Sequence, residues 1–167
     1  MKVIFLDFDG PIIPLMSHTH RRSAREKAWP PCVHALNRIT ETTGAKIVVS
    51  SSWRRQGDIG LIWLRRLLRD WGVTGKVIGV TPEMSTMTGT LWKSRERGHE
   101  IQAWLNENPV ERFLIFDDDE DMVHLDPYLI RTPFETGITE NHADKAIQML
   151  TPAGKIRIPS GKKRVAK

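Results

Sequence analysis

The sequence predicts an α/β domain in which helices cover both faces of a parallel sheet. Two apolar runs that end in carboxylates are the main reason. Val3-Ile4-Phe5-Leu6 delivers Asp7 and Asp9 into Gly10, and Phe113-Leu114-Ile115-Phe116 delivers Asp117, Asp118, Asp119, Glu120 and Asp121. Unbroken runs of four apolar residues suit strands that are buried on both faces, as parallel strands are. The third observation is the alternation of strand-like and helix-like segments along the chain, the pattern of a three-layer, Rossmann-like sheet.

Lys2 to Asp7 forms the first strand. Pro11 to about Trp29 has no clear period and carries Arg21, Arg22, Arg25 and Lys27, so it reads as a mobile basic loop or a short hairpin. Pro30-Pro31 opens a helix, because proline fits its first turn, and Gly44 closes it. Lys46 to Ser50 is the second strand. Leu64, Leu67, Leu68 and Trp71 follow helical spacing with Gly72 as the stop. Val77 to Val80 is a short third strand, and Thr81 to Lys93 reads as irregular. A helix from about Glu96 turns Ile101, Trp104 and Leu105 inward. Strands at Arg112–Phe116 and Tyr128–Arg131 follow, then a closing helix from Thr139, a candidate N-cap, to Leu150.

Residues 1–150 therefore form one domain, and 151–167 a basic C-terminal tail expected to be flexible. A chain of 167 residues is long enough to bury a good core. Its 40% hydrophobic and 27% charged residues are ordinary for a soluble protein. No stretch approaches the roughly 18 apolar residues of a membrane span, so no membrane association is expected. The chain enters a strand at once, so no secretory leader is expected. Cys32 is the single cysteine, which excludes an internal disulfide and fits a cytoplasmic setting. Its expected role is that of a small buried hydrophobe. The net charge of +5 sits in the tail: Lys155, Arg157, Lys162, Lys163, Arg164 and Lys167 leave 19 bases against 20 acids in the rest. Such a run suits the phosphates of RNA, although many basic tails are only solvated ends.

The acidic residues carry the chemistry. Two charges separated by one residue are costly to bury without a cationic partner. On a strand they share a face, and just past the strand end is where open α/β sheets bind ligands. Two strands ending in carboxylates suggest one site for a hard divalent cation, with Mg²⁺ the expected occupant.

Asp7-Phe8-Asp9-Gly10, Val48-Val49-Ser50 and Asp117-Asp118, in this order, resemble the haloacid dehalogenase (HAD) superfamily of phosphohydrolases. More narrowly, the first motif with Ser51-Ser52-Trp53-Arg54, Arg97-Gly98-x-Glu100-Ile101 and Asp117-Asp118-Asp119 resembles the HAD domains of "Swiss Army Knife" RNA-repair proteins. The likeness runs from residue 2 to about 150. It implies a HAD-like fold and a Mg²⁺-dependent phosphatase. Asp7 would be the nucleophile that forms an aspartyl-phosphate, and Asp9 the acid and then the base. The metal would be held by Asp7, the backbone carbonyl of Asp9, and Asp117. Asp121 stands four residues on, at the superfamily's second acidic position, and would be an outer or direct ligand, while Asp118 would serve in either shell.

The resemblance also gives Ser50 and the N–H of Ser51 to the phosphoryl oxygens, a role that helix capping does not preclude. The phosphate-binding cation is one of Lys93, Arg95 and Arg97, with Arg97 preferred for its place in the Arg-Gly-x-Glu-Ile run. Trp53 and Arg54 lie just past this pocket. They would stack a base and hold a backbone phosphate, or the tryptophan would pack under the following helix. His18 and His20 lack the companions of a zinc site.

Only about 20 residues, Pro11 to Pro30, follow the first motif before the next helix, too few for a separate folded layer. The domain is thus expected to be essentially capless and open to a large substrate such as a phosphorylated nucleic-acid end. The alternatives are a small-molecule phosphatase such as a nucleotidase, or a non-catalytic HAD-like module that binds nucleic acid.

Overall fold

The computed structural model describes residues 1–20, 27–55, 60–88, 91–94 and 96–151. In order these form β1 (Lys2–Leu6), α1 (Leu15–His20), α2 (Pro30–Thr43), β2 (Lys46–Val49), a 3-10 turn at Ser52–Arg55 and α3 (Gly60–Asp70). There follow β3 (Val77–Val80), β4 (Ser85–Thr88), β5 (Leu91–Ser94), α4 (Arg97–Glu107), β6 (Arg112–Asp117), a 3-10 segment at Val123–Tyr128, β7 (Leu129–Arg131) and α5 (Glu140–Leu150).

Five strands make one parallel sheet in the order β3-β2-β1-β6-β7. The chain winds outward from β1 to β3, then crosses back to place β6 on the other side of β1. The crevice between the carboxyl ends of β1 and β6 is therefore the topological switch point, where such sheets bind ligands.

Side chains alternate across each strand, and the alternation builds two cores. Ile4 and Leu6 of β1 pack with Val33, Leu36 and Ile39 of α2, Leu64 and Leu68 of α3, and Ala143, Ala146 and Leu150 of α5. Val3 and Phe5 face the opposite layer, with Ile101, Trp104 and Leu105 of α4 and with Phe113, Ile115, Leu125 and Tyr128. Phe5 meets both Trp104 and Phe113 edge to face. The three-layer parallel architecture expected from the apolar runs is present.

The helix signals act as read. Pro30 and Pro31 occupy the first turn of α2, and Gly44 ends it at φ +70° while donating its N–H to Thr40 O. Thr139 caps α5: its hydroxyl accepts from His142 N–H, and the His142 ring accepts from Thr139 N–H. Cys32 is buried against Thr136 O at 3.3 Å, and burial pushes its thiol up to about 12.

Two segments differ from expectation. The stretch after β1, read as a loop or hairpin, contains α1, whose single turn and a half is too short to impose a period on the sequence. Its first residue is tied across the fold by Leu15 N–H to Phe134 O at 2.8 Å. The stretch 81–93, read as irregular, contains the antiparallel pair β4–β5. Two four-residue runs separated by two residues, the first of them glycine, are a hairpin signal that low apolar content obscured. Among the described residues nothing builds a cap domain. Residues 152–167, with the basic tail, and Arg21, Arg22 and Arg25 lie outside the described residues.

Candidate active site

Sheet register brings the two acidic motifs together. Leu6 pairs with Phe116, and the ladder continues one step with Asp7 N–H donating to Phe116 O at 3.0 Å. Asp7 and Asp117 thus stand side by side on adjacent strands, about 5 Å apart in backbone. By alternation Asp7 follows Val3 and Phe5, and Asp117 follows Phe113 and Ile115, so both face the α4 layer. Asp118 completes the group: one carboxylate oxygen from each of Asp7, Asp117 and Asp118 lies within 4.8 Å of the others. Gly10 allows this approach. It has φ +88°, and a Cβ there would stand 2.7 Å from the Asp118 carboxyl carbon.

These carboxylates are strained as anions. Burial raises the pKa of Asp7 against the lowering charge of Arg97. Burial and then the neighbouring Asp7 charge push Asp117 to about 8. Asp118 is raised chiefly by burial. Asp117 is fully buried, and its Oδ2 has no aligned hydrogen bond, although Arg97 Nε lies 3.2 Å away. Three all-oxygen donors with an unsatisfied buried lone pair fit a hard cation such as Mg²⁺.

Arg97 supplies the positive charge. Its Nη1 is 2.9 Å from Asp7 Oδ1 and donates to Ser50 O at 3.0 Å, while Nε faces Asp117. Burial disfavours its charge, but Asp7 and Asp117 overcome that penalty, and its pKa is raised. The side chain reaches the site because α4 begins against the acidic loop. Gly98 N–H donates to Asp121 O, and a Cβ on Gly98 would lie 2.0 Å from Met122 O. Of the other candidate cations, Lys93 lies on β5 with its side chain outside the described residues, and Arg95 is also outside them.

The end of β2 forms the third wall. Ser50 N–H donates to Leu6 O, which sets Ser50 beside Asp7, and Ser51 bonds the Asp7 carboxylate. The Ser50 hydroxyl is buried without a partner. So is the hydroxyl of Thr81, which follows β3 and donates its N–H to Val49 O. Thr81 was not singled out from sequence. The signal was its place one residue past a strand, matching Ser50.

One sequence assignment changes. Arg54 does not face a substrate: its guanidinium is buried, ion-paired to Glu100, and donates to Ser50 O at 2.6 Å and Ser51 O at 2.9 Å. It is a strut under the turn that follows β2. For Trp53 the packing alternative holds: it sits in an aromatic cluster with Phe8, Trp63 of the following helix and Trp71 and points its N–H at Asp9, so its ring is not an open stacking platform. Asp121 is not part of the close group of three carboxylates: its Oδ2 accepts Arg97 N–H at 3.0 Å at the start of α4, while its Oδ1 is buried without a hydrogen-bond partner, an arrangement compatible with an outer ligand. The Asp9 side chain, for which only the backbone carbonyl was expected on the metal, is exposed, and its Oδ2 accepts from Trp53 Nε1 at 2.8 Å.

Comparison with known proteins bears on the fold and the family. No protein of curated function matches the chain. In fold it is similar to the HAD domain of the effector protein Lem4 from Legionella pneumophila. The TM-score is 0.50 at 16% identity, covering 87% of this chain and 93% of that one. An inactive mutant of the Lem4 domain gives 0.52 at 14% identity, covering 89% and 94%. Residues 3–143 match the family described as the HAD domain in Swiss Army Knife RNA repair proteins. The chain belongs to that family.

Proposed function

We propose that the protein is a Mg²⁺-dependent phosphoric monoester hydrolase that acts through an aspartyl-phosphate and removes terminal phosphates from RNA. The observation that carries this reading is the division of labour between Asp7 and Asp9. Asp7 is buried among carboxylates, a cation and a serine turn, whereas Asp9 is exposed beside them.

Asp7, Asp117 and Asp118 would hold the metal, with Asp121 supporting them through α4. When bound, Mg²⁺ would neutralise charge on the phosphate oxygens. An oxygen of Asp7 attacks phosphorus while the bond to the leaving oxygen breaks, and Asp9 gives that oxygen a proton. A water oxygen then attacks the phosphorus of the Asp7 adduct. Asp9 takes the water proton, the bond to Asp7 breaks, and inorganic phosphate leaves. Arg97 and the unpartnered Ser50 hydroxyl would bind the phosphoryl oxygens, with the Ser51 N–H beside them.

The family match supports RNA ends as the substrate class, as do the lack of a cap domain among the described residues and the basic tail. The test is release of inorganic phosphate from a 3′-phosphorylated oligoribonucleotide with Mg²⁺, abolished by EDTA and by Asp7→Asn. Equal release by wild type and Asp7→Asn would remove the nucleophile assignment. Faster turnover of free nucleotides or sugar phosphates would replace the RNA substrate with a small metabolite. The tail is proposed to touch RNA phosphates, so deleting 155–167 should weaken oligonucleotide binding and flatten its salt dependence.

A further inference from the structure

We infer that Trp53 is a positioning residue: its indole N–H fixes the rotamer of Asp9 so that one carboxylate oxygen stays available for proton transfer to the leaving group. This rests on the hydrolase reading above and adds a residue to it. The contact is Trp53 Nε1 to Asp9 Oδ2 at 2.8 Å, across 44 residues of sequence.

The two residues differ sharply in freedom. Asp9 has a fixed backbone, because Gly10 N–H bonds Ile13 O and both Ile12 and Ile13 bond Phe8 O. Its side chain, however, is exposed, and an exposed aspartate has several rotamers open to it. Trp53 has none of that freedom. Its ring is stacked on Trp63 at 6.5 Å and 15°, meets Trp71 edge on at 5.7 Å, and leans on Phe8 at 5.9 Å. Lys27 Nζ lies 4.6 Å over its face.

Phe8 is the residue between Asp7 and Asp9, and it is fully buried. The same tripeptide therefore provides the nucleophile, part of the wall that holds Trp53, and the carboxylate that Trp53 holds. An indole nitrogen only donates, so Oδ2 is committed as acceptor and proton exchange falls to Oδ1. Restricting a catalytic group to one geometry is how an enzyme lowers the entropic cost of the reaction step. A packed indole does this for a carboxylate that the protein otherwise leaves in solvent.

The leaving group provides the test. An alkoxide leaving a ribose needs a proton, whereas p-nitrophenolate is a stable anion and leaves without one. In Trp53→Phe, kcat/KM for a 3′-phosphorylated oligoribonucleotide should fall at least about tenfold, a fraction of the 10²–10⁴ attributable to general acid catalysis. For p-nitrophenyl phosphate the fall should be under about threefold on the same grounds. Replacing Trp53 by its benzothiophene isostere keeps the ring shape and removes only the donor, so it should reproduce the pattern even where Trp53→Phe folds poorly. Equal losses on both substrates would mean that Trp53 only packs, and no loss on either would mean that Asp9 needs no holding. Either result overturns the inference. Phosphate release retained by Asp7→Asn would overturn the hydrolase reading beneath it, a separate outcome.

Discussion

Arg54 and Glu100 form an ion pair in which each side chain is only 4% exposed. Arg54 belongs to the turn after β2 and Glu100 to the first turn of α4, so the pair bolts together the two segments that bring Ser50 and Arg97 to Asp7. The second Glu100 oxygen accepts Met84 N–H at 2.9 Å, which adds the entry to β4. Such a pair is not in itself evidence of high stability, since both charges had to be desolvated. Removing one partner is nevertheless costly, because the other stays buried.

Glu100→Gln should therefore destabilise the protein by about 3 kcal/mol, the lower end of the range for breaking a buried pair. Urea denaturation with an unchanged slope would measure it. A loss below about 1 kcal/mol, the worth of an exposed pair, would show that Arg54 finds other satisfaction at Ser50 and Ser51.

Gly98→Ala is expected to be worse for activity than its single methyl suggests. A Cβ there would lie 2.0 Å from a backbone oxygen of Met122, and backbone cannot swing aside as a flexible side chain does. The start of α4 must shift, and Arg97 is the residue just before. Overpacking of this kind costs about 1–3 kcal/mol. Phosphatase activity should fall at least about tenfold, as expected when a positioned group moves by an ångström. Full activity with a normal melting temperature would mean that the loop at Met122 yields freely.

How far the sequence revealed this site depends on the kind of interaction. Asp7, Asp117 and Ser50 were legible because each ends an apolar run, and strand register then forces their meeting. Arg97 was preferred among three cations only through the resemblance of its Arg-Gly-x-Glu-Ile run, because apolar spacing alone does not say which one α4 will carry to the strand ends. The partners of Glu100, the burial of Thr81 and the role of Arg54 were not legible, and for Trp53 packing was one of two open readings. Their partners lie tens of residues away, and a charged or aromatic side chain after a strand reads equally well as a substrate contact or as a strut. For Asp121 the sequence left an outer or a direct ligand open, because spacing from Asp117 does not say that the adjacent helix N-terminus takes one of its carboxylate oxygens.

The metal-free protein should lose stability as pH rises towards 8. Asp117 has its pKa raised from the usual 3.8 to about 8 by burial and then by the charge of Asp7. Between those values the folded state holds a proton that the unfolded state has released, so ν_N exceeds ν_U and unfolding becomes easier with increasing pH. This contribution is fully present below about pH 4 and lost through about pH 8. In EDTA, the melting temperature of Asp117→Asn should therefore gain on wild type between about pH 5.5 and about pH 8, since the amide has no proton to lose. Mg²⁺ should raise the wild-type melting temperature more at the higher pH, where it no longer competes with that proton. A wild-type advantage that grows with pH in EDTA would contradict the raised pKa.

Arg97→Lys keeps the charge and tests whether the shape of the cation matters. The guanidinium spans Asp7 and Asp117 with two different nitrogens and also donates to Ser50 O, a geometry that one ammonium cannot reproduce. A lysine will pair with one carboxylate and leave the other facing it at a poorer distance. Phosphate release should drop about 10- to 100-fold, roughly 1.4–2.7 kcal/mol of transition-state stabilisation. Arg97→Met should drop it further and also remove the charge that holds Asp7 and Asp117 together. If Lys and Met variants lose activity equally, the fork is what the site requires. If Arg97→Lys is fully active, a point charge suffices here.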